Sequence, residues 1–332
     1  MKNSYLKIVV IGNYYYDPMG NITDMEESGF AYQQNYNELN QAQAHEYDAN
    51  GNLINDGQSA YTWDAENRLI RIQNHGTNAI SEFTYDAYSR RVQETHMEAN
   101  GQIRTVNNLW CGETLCAQTN EQGQITHRYF GQGEWHNDQA YFYAQDQIGS
   151  VTAMIDTQGK IADTALYSPY GKLLQSQGVQ ANIAYAGLYH HKESGLYLAT
   201  YRGYNPFTAR WLSRDPIEEN GGLNLYEYVG GNPATHTDTN GENPLLVIGI
   251  GAAVGGLASG ITTYAVTGNI KEAVDSAAYG AIGGAAAVGS FLVAPATLAG
   301  TAAAVVFDTA INAAGYMTSV ADVLKNDTEC NK

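Results

Sequence analysis

The residues best suited to catalysis in this sequence are acidic. Asp215 precedes a proline, and Asp238 opens the sequence Asp-Thr-Asn-Gly. Two carboxyl groups that share a proton can supply both the base and the acid of a hydrolysis. Asp-Pro and Asp-x-Asn-Gly sequences are also typical of turns, in which the aspartate accepts backbone N–H groups. The residue types alone therefore leave a catalytic and a structural role open for both aspartates.

No metal or cofactor site is predicted. His190 and His191 are adjacent, and neighbouring side chains of a strand point to opposite faces, so these histidines and Glu193 do not suggest a shared metal ion. Cys111 and Cys116 lack a second cysteine pair, and we interpret them as a cross-strand pair of a hairpin or as free thiols. The sequence has no phosphate-binding loop, dinucleotide fingerprint or Ser-His-Asp signature in a plausible context.

The composition excludes several functional classes. The 332 residues include 17 Lys and Arg against 34 Asp and Glu, which gives a formal net charge of −17. So acidic a chain repels phosphate backbones, and a nucleic-acid partner is not expected. The apolar run near the amino terminus, Ile8–Ile11, is shorter than the hydrophobic region of a secretory signal. Sec-type export is therefore not predicted.

Two kinds of sequence meet after Glu242. Residues 243–332 hold 12 of the 35 glycines and 21 alanines, but only 3 of the 25 tyrosines. Residues 1–242 alternate short aromatic and β-branched runs with turn dipeptides such as Asn50-Gly51 and Asn100-Gly101. This pattern is typical of strands and turns, and long apolar stripes of helical period are rare there. We expect a mainly β body followed by a small α-helical tail.

A tyrosine–aspartate motif recurs along the body. It reads YYDPMGNI at 15–22, EYDANGNL at 46–53, YTWDAENRL at 61–69 and FTYDAYSRR at 83–91. Each copy is predicted to form a strand, a tight turn and a second strand, with Asp48 or Asp64 capping its turn by accepting backbone N–H groups. The aspartates are 31, 16 and 22 residues apart, which argues against a propeller with blades of fixed length. The repeats are expected to stack on one another.

The repeats resemble those of the Rhs family of polymorphic toxins, and the following residues resemble its repeat-associated core. The matching segments are 144–160, 167–174 and 185–233, the last of which contains RGYNPFTARWLSRDPIEENGGLNLYEYVGGNP. The resemblance covers residues 14–242 and is most specific from Ser194 to Pro233. It implies a β-sheet strip that winds into a hollow shell, closed at one end by the core, with a variable toxin beyond it.

The resemblance implies three segments. They are a tyrosine–aspartate repeat sheet at 1–110, the repeat-associated core at 111–242, and a C-terminal effector or translocation segment at 243–332. Complete members of the family have much longer shells, so a body of this size is expected to form only the last part of one. We therefore expect a fragment, a shortened paralogue or one piece of a split system.

Self-cleavage is a further implication of the resemblance. The family places one Asp-Pro near the end of the core and a second 23 positions later, shortly before the scissile bond. Asp215 and Asp238 have that separation, which puts the cut between Glu242 and Asn243. Arg214, next to Asp215, is the candidate that holds one carboxylate ionised or polarises the scissile carbonyl.

The chain departs from the family's cleavage pattern at four positions. Thr239 replaces the second proline and Glu242 replaces the leucine before the cut, while Glu218 and Glu219 replace a glycine and an apolar residue. Added carboxylates disfavour ionisation of the aspartates, and a pocket shaped for leucine rejects the charge of Glu242. Active, slow and absent cleavage are all open at this stage.

The tail contains two uncharged stretches, Pro244–Asn269 and Ser276–Phe307. Each exceeds the ~20 residues that a helix needs to cross a bilayer core. The polar segment NIKEAVD at 269–275 separates them, which predicts a helical hairpin that Pro295 kinks or breaks. Small residues spaced by four would line one helix face and allow close packing. They are Gly251, Gly255, Gly256, Gly260, Gly280, Gly284 and Gly289, the last of which is paired with Ala285.

The sequence as a whole predicts the C-terminal portion of an Rhs-family effector of interbacterial competition. The tail is expected to insert into a target-cell membrane, as a pore or as a translocation aid, although a buried soluble hairpin is the alternative. The protein would be cytoplasmic before a secretion system exports it, with delivery machinery and an immunity protein as partners. Two other functions are open: an autoprotease whose tail is only cargo, and an inert shell or surface fragment that binds carbohydrate or protein.

Overall fold

The computed structural model describes residues 12–27 and 29–242, together with the backbone of 245–246. The described residues up to Leu245 belong to one compact unit of the chain. The predicted helical hairpin and its seven glycines lie outside the described residues, and so does Asn243. No helix in the described ranges is long and apolar enough to cross a membrane.

A small sheet of three antiparallel strands comes first in the described chain. It contains β1 (Gly12–Tyr16), β2 (Ile22–Glu27) and β3 (Phe30–Gln33). The turn between β1 and β2 carries the first copy of the tyrosine–aspartate motif. The long sheet that follows repeats the same arrangement of strand, turn and antiparallel strand.

Fourteen antiparallel strands form one sheet, in which each strand pairs with its neighbours in the sequence. This meander needs only tight turns as connections, as the turn dipeptides predict. The strands are β4 (Glu46–Tyr47), β5 (Leu53–Asn55), β6 (Ser59–Trp63), β7 (Leu69–Asn74), β8 (Ile80–Tyr85), β9 (Arg91–Met97), β10 (Ile103–Cys111), β11 (Thr114–Thr119), β12 (Ile125–Phe130), β13 (Gly133–His136), β14 (Gln139–Gln145), β15 (Val151–Asp156), β16 (Ile161–Tyr167) and β17 (Leu173–Ser176). A disulfide joins Cys111 to Cys116 across the β10–β11 hairpin.

The last part of the body forms shorter elements. A four-stranded antiparallel sheet contains β18 (Tyr189–His191), β19 (Leu196–Leu198), β20 (Gly203–Asn205) and β21 (Arg210–Trp211). Two-residue strands follow as β22 (His236–Thr237) and β23 (Leu245–Leu246). Three single-turn 3₁₀ helices lie at Tyr185–Gly187, Glu218–Asn220 and Val229–Gly231. The predicted mainly β body is confirmed.

The turns of the repeats share one hydrogen-bond pattern. Asp48 Oδ1 accepts the N–H groups of Asn50 and Asn52 at 2.9 and 2.8 Å. Asp64 Oδ1 accepts the N–H groups two and four residues further on in the same way. The predicted capping role of both aspartates is therefore confirmed. The same two contacts recur at Asp17, Asn37, Asp86, Asn120, Asp146 and Asp156.

The turn after β4 needs a glycine for two reasons. Gly51 has φ = +86°, in the left-handed region that side chains with a Cβ rarely adopt. A Cβ at Gly51 would also lie 2.6 Å from both Arg214 Cδ and Tyr226 Oη. The turn between β4 and β5 is thus in close contact with residues 185–242. The fourteen-stranded sheet is called the strip below, and residues 185–242 are called the last block of the body.

Aromatic residues of the last block build the largest part of the core. Their hydroxyl groups bind carbonyl oxygens of the strip, for example Tyr197 to Gly171 at 2.9 Å and Tyr204 to Tyr170 at 2.8 Å. The rings of Tyr197 and Tyr204 thus remove apolar area from water while their hydroxyl groups keep a partner. Trp211 Nε1 and Tyr228 Oη are buried without a hydrogen-bond partner among the described residues. The most deeply buried members are Tyr185, Tyr197, Tyr204, Trp211 and Tyr228.

A second core cluster joins the four-stranded sheet to the first half of the strip. Leu196, Leu198 and Leu212 are buried against apolar side chains of β5 to β8. Burial of such side chains stabilises the contact by roughly 1.5–3 kcal/mol each. The strip-side partners are Leu53, Tyr61, Leu69, Ile72 and Phe83.

We expect Asp48→Ala to lower the free energy of unfolding by about 1–2 kcal/mol, because two backbone N–H groups lose their acceptor. Glu38→Ala removes an exposed acidic side chain from another turn and is the matched control, with an expected change below about 0.5 kcal/mol. Urea denaturation of both variants and the parent measures the difference. Equal stability of all three proteins would contradict the capping role.

Candidate functional site

Two turns at the end of the body position the two aspartates that the sequence singled out. Asp215 follows β21, and its Oδ1 accepts the N–H group of Ile217 at 3.0 Å. Asp238 follows β22, and its Oδ1 accepts the N–H groups of Gly241 at 2.8 Å and Glu242 at 3.1 Å. Both aspartates therefore use one carboxylate oxygen to hold their own turn. The other oxygen of each is free to face a common partner.

That common partner is Arg202, in the connection between β19 and β20. Its Nη2 lies 2.8 Å from Asp215 Oδ2 and 3.2 Å from Asp238 Oδ2. The three side chains are 2%, 9% and 2% exposed for Arg202, Asp215 and Asp238, so the cluster is shielded from water. The arginine Nε also donates to the carbonyl of Gly241, and its guanidinium lies 4.3 Å from the ring centroid of Trp211. The structure thus brings Asp215 and Asp238 together on one buried cation.

The electrostatics of the site favour protonation of acidic groups near the end of the body. Burial raises the pKa of Asp238; Arg202 and the bonds to Gly241 and Glu242 oppose that rise, and Asp215 adds to it. Burial and the charges of Asp215 and Asp238 raise the pKa of the Glu242 carboxyl. Three carboxyl groups face one guanidinium here. One or more of them therefore holds a proton more readily than a carboxyl in water.

This arrangement contains the parts of an acid–base pair next to a backbone bond. Asp238 Oδ1 accepts the N–H group of Glu242, which belongs to the Gly241–Glu242 peptide bond. The next peptide bond along the chain is the one between Glu242 and Asn243. Glu242 is half-buried, and its N–H group also contacts Asn240 Oδ1 at 3.2 Å. Two carboxyl groups held by one cation can share the proton that hydrolysis of an amide requires.

Arg214 and the two extra glutamates lie elsewhere. Arg214 is exposed, and among the described residues its side chain forms no ion pair with Asp215 or Asp238. Glu218 and Glu219 are exposed in a 3₁₀ helix. The glutamate whose pKa is raised by the charges of both aspartates is Glu242 instead.

Sequence reasoning missed Arg202 although it lies in the segment of most specific resemblance. Its position one residue before the Gly203–Asn205 strand gives no local sign that its side chain is buried. An arginine in an aromatic-rich segment of a strongly acidic chain was the available signal. Only the packing of the end of the body around Gly241 shows that Arg202, and not Arg214, contacts both aspartates.

Comparison with known proteins identifies the family of this body. The Teneurin YD-shell family model matches residues 7–234. The chain belongs to the Rhs/YD-repeat family. The tRNA3(Ser)-specific nuclease WapA of Bacillus spizizenii is 30% identical over an alignment of 266 positions, which covers 72% of this chain and 11% of that protein. The predicted resemblance is confirmed.

Several relatives of this Rhs/YD-repeat chain are named as toxins. Toxin subunit YenC1 of Yersinia entomophaga is 29% identical over 287 residues, covering 70% of this chain and 29% of that protein. Toxin protein Tse5 of Pseudomonas aeruginosa is 26% identical over 255 residues, covering 62% and 19%. This chain therefore spans between about a tenth and a third of the length of these relatives.

Solved structures share the fold of the strip. The crystal structure of TcdB2-TccC3-Cdc42 superposes with a TM-score of 0.59 at 23% sequence identity, covering 70% of this chain and 13% of that chain. The structure of TcdB2-TccC3 gives a TM-score of 0.58 at 24% identity, covering 69% and 13%. These values show that the fold is shared.

Replacing Arg202 tests the electrostatic role of this cluster. We expect Arg202→Gln to lower the free energy of unfolding by about 3–5 kcal/mol at pH 8, because two buried carboxylates lose their cation. The pKa of Asp238 then rises further above its value in the unfolded chain, so the folded state binds a proton more readily. The loss of stability should therefore be smaller at pH 5 than at pH 8.

Arg214→Gln is the matched control for this experiment, since it removes the exposed neighbouring arginine. Its effect should stay within about 0.5 kcal/mol at both pH values. Chemical denaturation at pH 5 and pH 8 measures both variants. A pH-independent effect of Arg202→Gln would show that the carboxylates do not depend on this cation.

Proposed function

We propose that this chain is the closing part of an Rhs-family toxin and that it cuts its own backbone between Glu242 and Asn243. The single observation that carries the proposal is the meeting of Asp215 and Asp238 on one buried nitrogen of Arg202, directly beside the N–H group of Glu242. Membership of the Rhs/YD-repeat family supports it, as do the relatives named as toxins.

The roles of the two aspartates follow from their contacts. Asp215 has the shorter contact to Arg202 and is assigned as the base that removes a proton from a water molecule. The hydroxide adds to the carbonyl carbon of Glu242, and the bond from this carbon to the nitrogen of Asn243 breaks. Asp238, whose pKa is raised by burial, gives its proton to the leaving nitrogen. Residues 1–242 and 243–332 are the two products.

Because Glu242 replaces the leucine of the family pattern, the rate of the proposed cleavage is expected to depend on pH. A carboxylate at this position adds a third negative charge beside Asp215 and Asp238, and the pKa of Glu242 is raised accordingly. Protonation of Glu242 and of Asp238 becomes easier as pH falls. Cleavage is therefore expected to be faster near pH 5 than near pH 8.

A structural role for the same cluster is the second candidate. Asp215 and Asp238 each use one carboxylate oxygen to cap a turn and the other to bind Arg202. A cluster whose oxygens are all engaged can act as a latch that holds the end of the body in place. In that case the chain stays intact, and the cluster contributes stability alone.

Intact-mass measurement separates the two candidates. During incubation at pH 5, the parent chain should yield fragments 1–242 and 243–332, and Asp215→Asn and Asp238→Asn should each remain whole. Glu242→Leu, which restores the apolar residue of the family, should cut at least about tenfold faster than the parent. Asp24→Asn, at a half-buried position of β2, is the matched control and should cut like the parent.

An uncut parent chain and an uncut Glu242→Leu variant would favour the latch over the protease. Circular dichroism of every variant, recorded before incubation, distinguishes loss of folding from loss of chemistry. Cleavage at the same rate in Asp215→Asn and in the parent would exclude Asp215 as the base.

The released segment 243–332 is proposed to act on a membrane of the target cell. Its two uncharged stretches and the spacing of its glycines support this role. We expect export by a secretion system, with delivery machinery and an immunity protein as partners. The toxins among its relatives are in keeping with delivery to a target cell.

Vesicle leakage tests the tail directly. Residues 243–332 should release a trapped dye from vesicles of phosphatidylethanolamine and phosphatidylglycerol, while residues 1–242 should not. Replacing Gly255 and Gly284 by leucine would separate closely packed helices and should reduce leakage by about tenfold or more. Alanine at the same two positions is the conservative control. If residues 243–332 release no dye at micromolar concentration, the tail would be cargo or a soluble hairpin instead.

A further inference from the structure

Three buried residues from distant parts of the chain meet between the strip and the four-stranded sheet. Glu94 and His96 lie on β9, and His191 ends β18. One ligand atom from each of them lies within 4.8 Å of the other two. Among the described residues this is the one such group of three or more histidine, cysteine or acidic side chains.

His191 supplies an independent sign that something binds here. Its side chain is almost completely buried, and its Nε2 has no hydrogen-bond partner in the described part of the protein. An unpartnered buried nitrogen is costly unless it accepts a ligand. The neighbouring His190 packs its ring at a tilt against Tyr197 instead, with ring centroids 5.1 Å apart.

Two serines hold the imidazole rings in the orientation that ligation requires. Ser81 Oγ lies 3.0 Å from His96 Nδ1, and Ser194 Oγ lies 2.7 Å from His191 Nδ1. When each Nδ1–H donates to its serine, the Nε2 lone pair remains available. Metal-bound histidines almost always have such a partner on the second ring nitrogen. The serines therefore prepare both Nε2 atoms as ligands.

Two glutamates beside the histidines are each held in place through one carboxylate oxygen. Glu94 Oε1 accepts hydrogen bonds from Asn108 at 2.8 Å and Arg91 at 2.9 Å, and its Oε2 lies 3.6 Å from His96 Nε2. Glu193 Oε1 pairs with Arg104, and its Oε2 lies 3.6 Å from His191 Nε2. Each carboxylate thus fixes one oxygen and presents the other to an imidazole.

We propose that Glu94, His96 and His191 bind a structural zinc ion. Glu193 lies outside this group of three, and its Oε2, 3.6 Å from His191 Nε2, would move in as the fourth ligand when the ion binds. Two imidazole nitrogens and two carboxylate oxygens suit a four-coordinate Zn²⁺ site without an open position. The positive charge of Arg91 is already balanced at Glu94 Oε1. The ion would tie β9 of the long sheet to β18 of the four-stranded sheet, where the leucines of the second core cluster also make contact.

Zinc content of the 332-residue chain is the first test. After incubation with zinc and passage over a chelating resin, one zinc per chain is expected. X-ray absorption at the zinc edge should show nitrogen and oxygen ligands at about 2.0–2.2 Å and no sulfur at about 2.3 Å. Saturating zinc should raise Tm by roughly 5 °C or more.

Variants assign the metal to these side chains. His191→Gln should lose stoichiometric zinc, and Ser194→Ala should weaken zinc binding by about 10–100-fold while keeping every ligand. His136→Gln is the matched control, because His136 is also buried beside a glutamate, Glu134, at 3.2 Å. Cys330→Ser removes a thiol outside the described residues. Both control variants should bind zinc like the parent.

Three results would overturn the site. They are a parent chain without zinc above background, sulfur among the zinc ligands, and an equal loss of zinc in His136→Gln and His191→Gln. If His191→Gln does not fold, the absorption spectrum of the parent and the affinity of Ser194→Ala still decide. A parent-like affinity in Ser194→Ala would show that the serine does not orient a ligand.

Discussion

The structure depends on one repeated contact, in which a carboxylate or amide oxygen accepts two backbone N–H groups at a strand connection. At Asp48 and Asp64 this contact satisfies groups that a tight turn would otherwise leave unpaired. Each turn directs the chain straight back along the preceding strand. The contact recurs at six of the thirteen connections of the long sheet, in which fourteen strands follow one another in sequence order.

The last block of the body turns that strip into part of a packed structure. Tyrosine hydroxyls from this block bind carbonyl oxygens of the strip at Gly51, Tyr170 and Gly171. Their rings are buried in the core, so polar and apolar contacts act at the same places. Family resemblance was most specific in this block, and the structure shows that it supplies the aromatic core.

Two groups of buried carboxylates in this strongly acidic chain are each held by an arginine. Arg202 holds Asp215 and Asp238, and Arg91 holds Glu94. Such groups are costly to bury unless each charge has a partner, and removing one member exposes the cost of the others. Both proposed sites therefore sit where the chain has placed unusual combinations of carboxyl, imidazole and guanidinium groups away from water.

The sequence by itself determined the mainly β body, the family and the capping aspartates. These features are local, since Asp48 binds N–H groups only two and four residues away, and the motif is visible wherever it recurs. Only the tertiary structure decided that Arg202 contacts both Asp215 and Asp238, and that Glu94 lies beside His191. Those contacts join distant segments, and they depend on how the last block packs on the strip, which residue types and spacing do not encode locally.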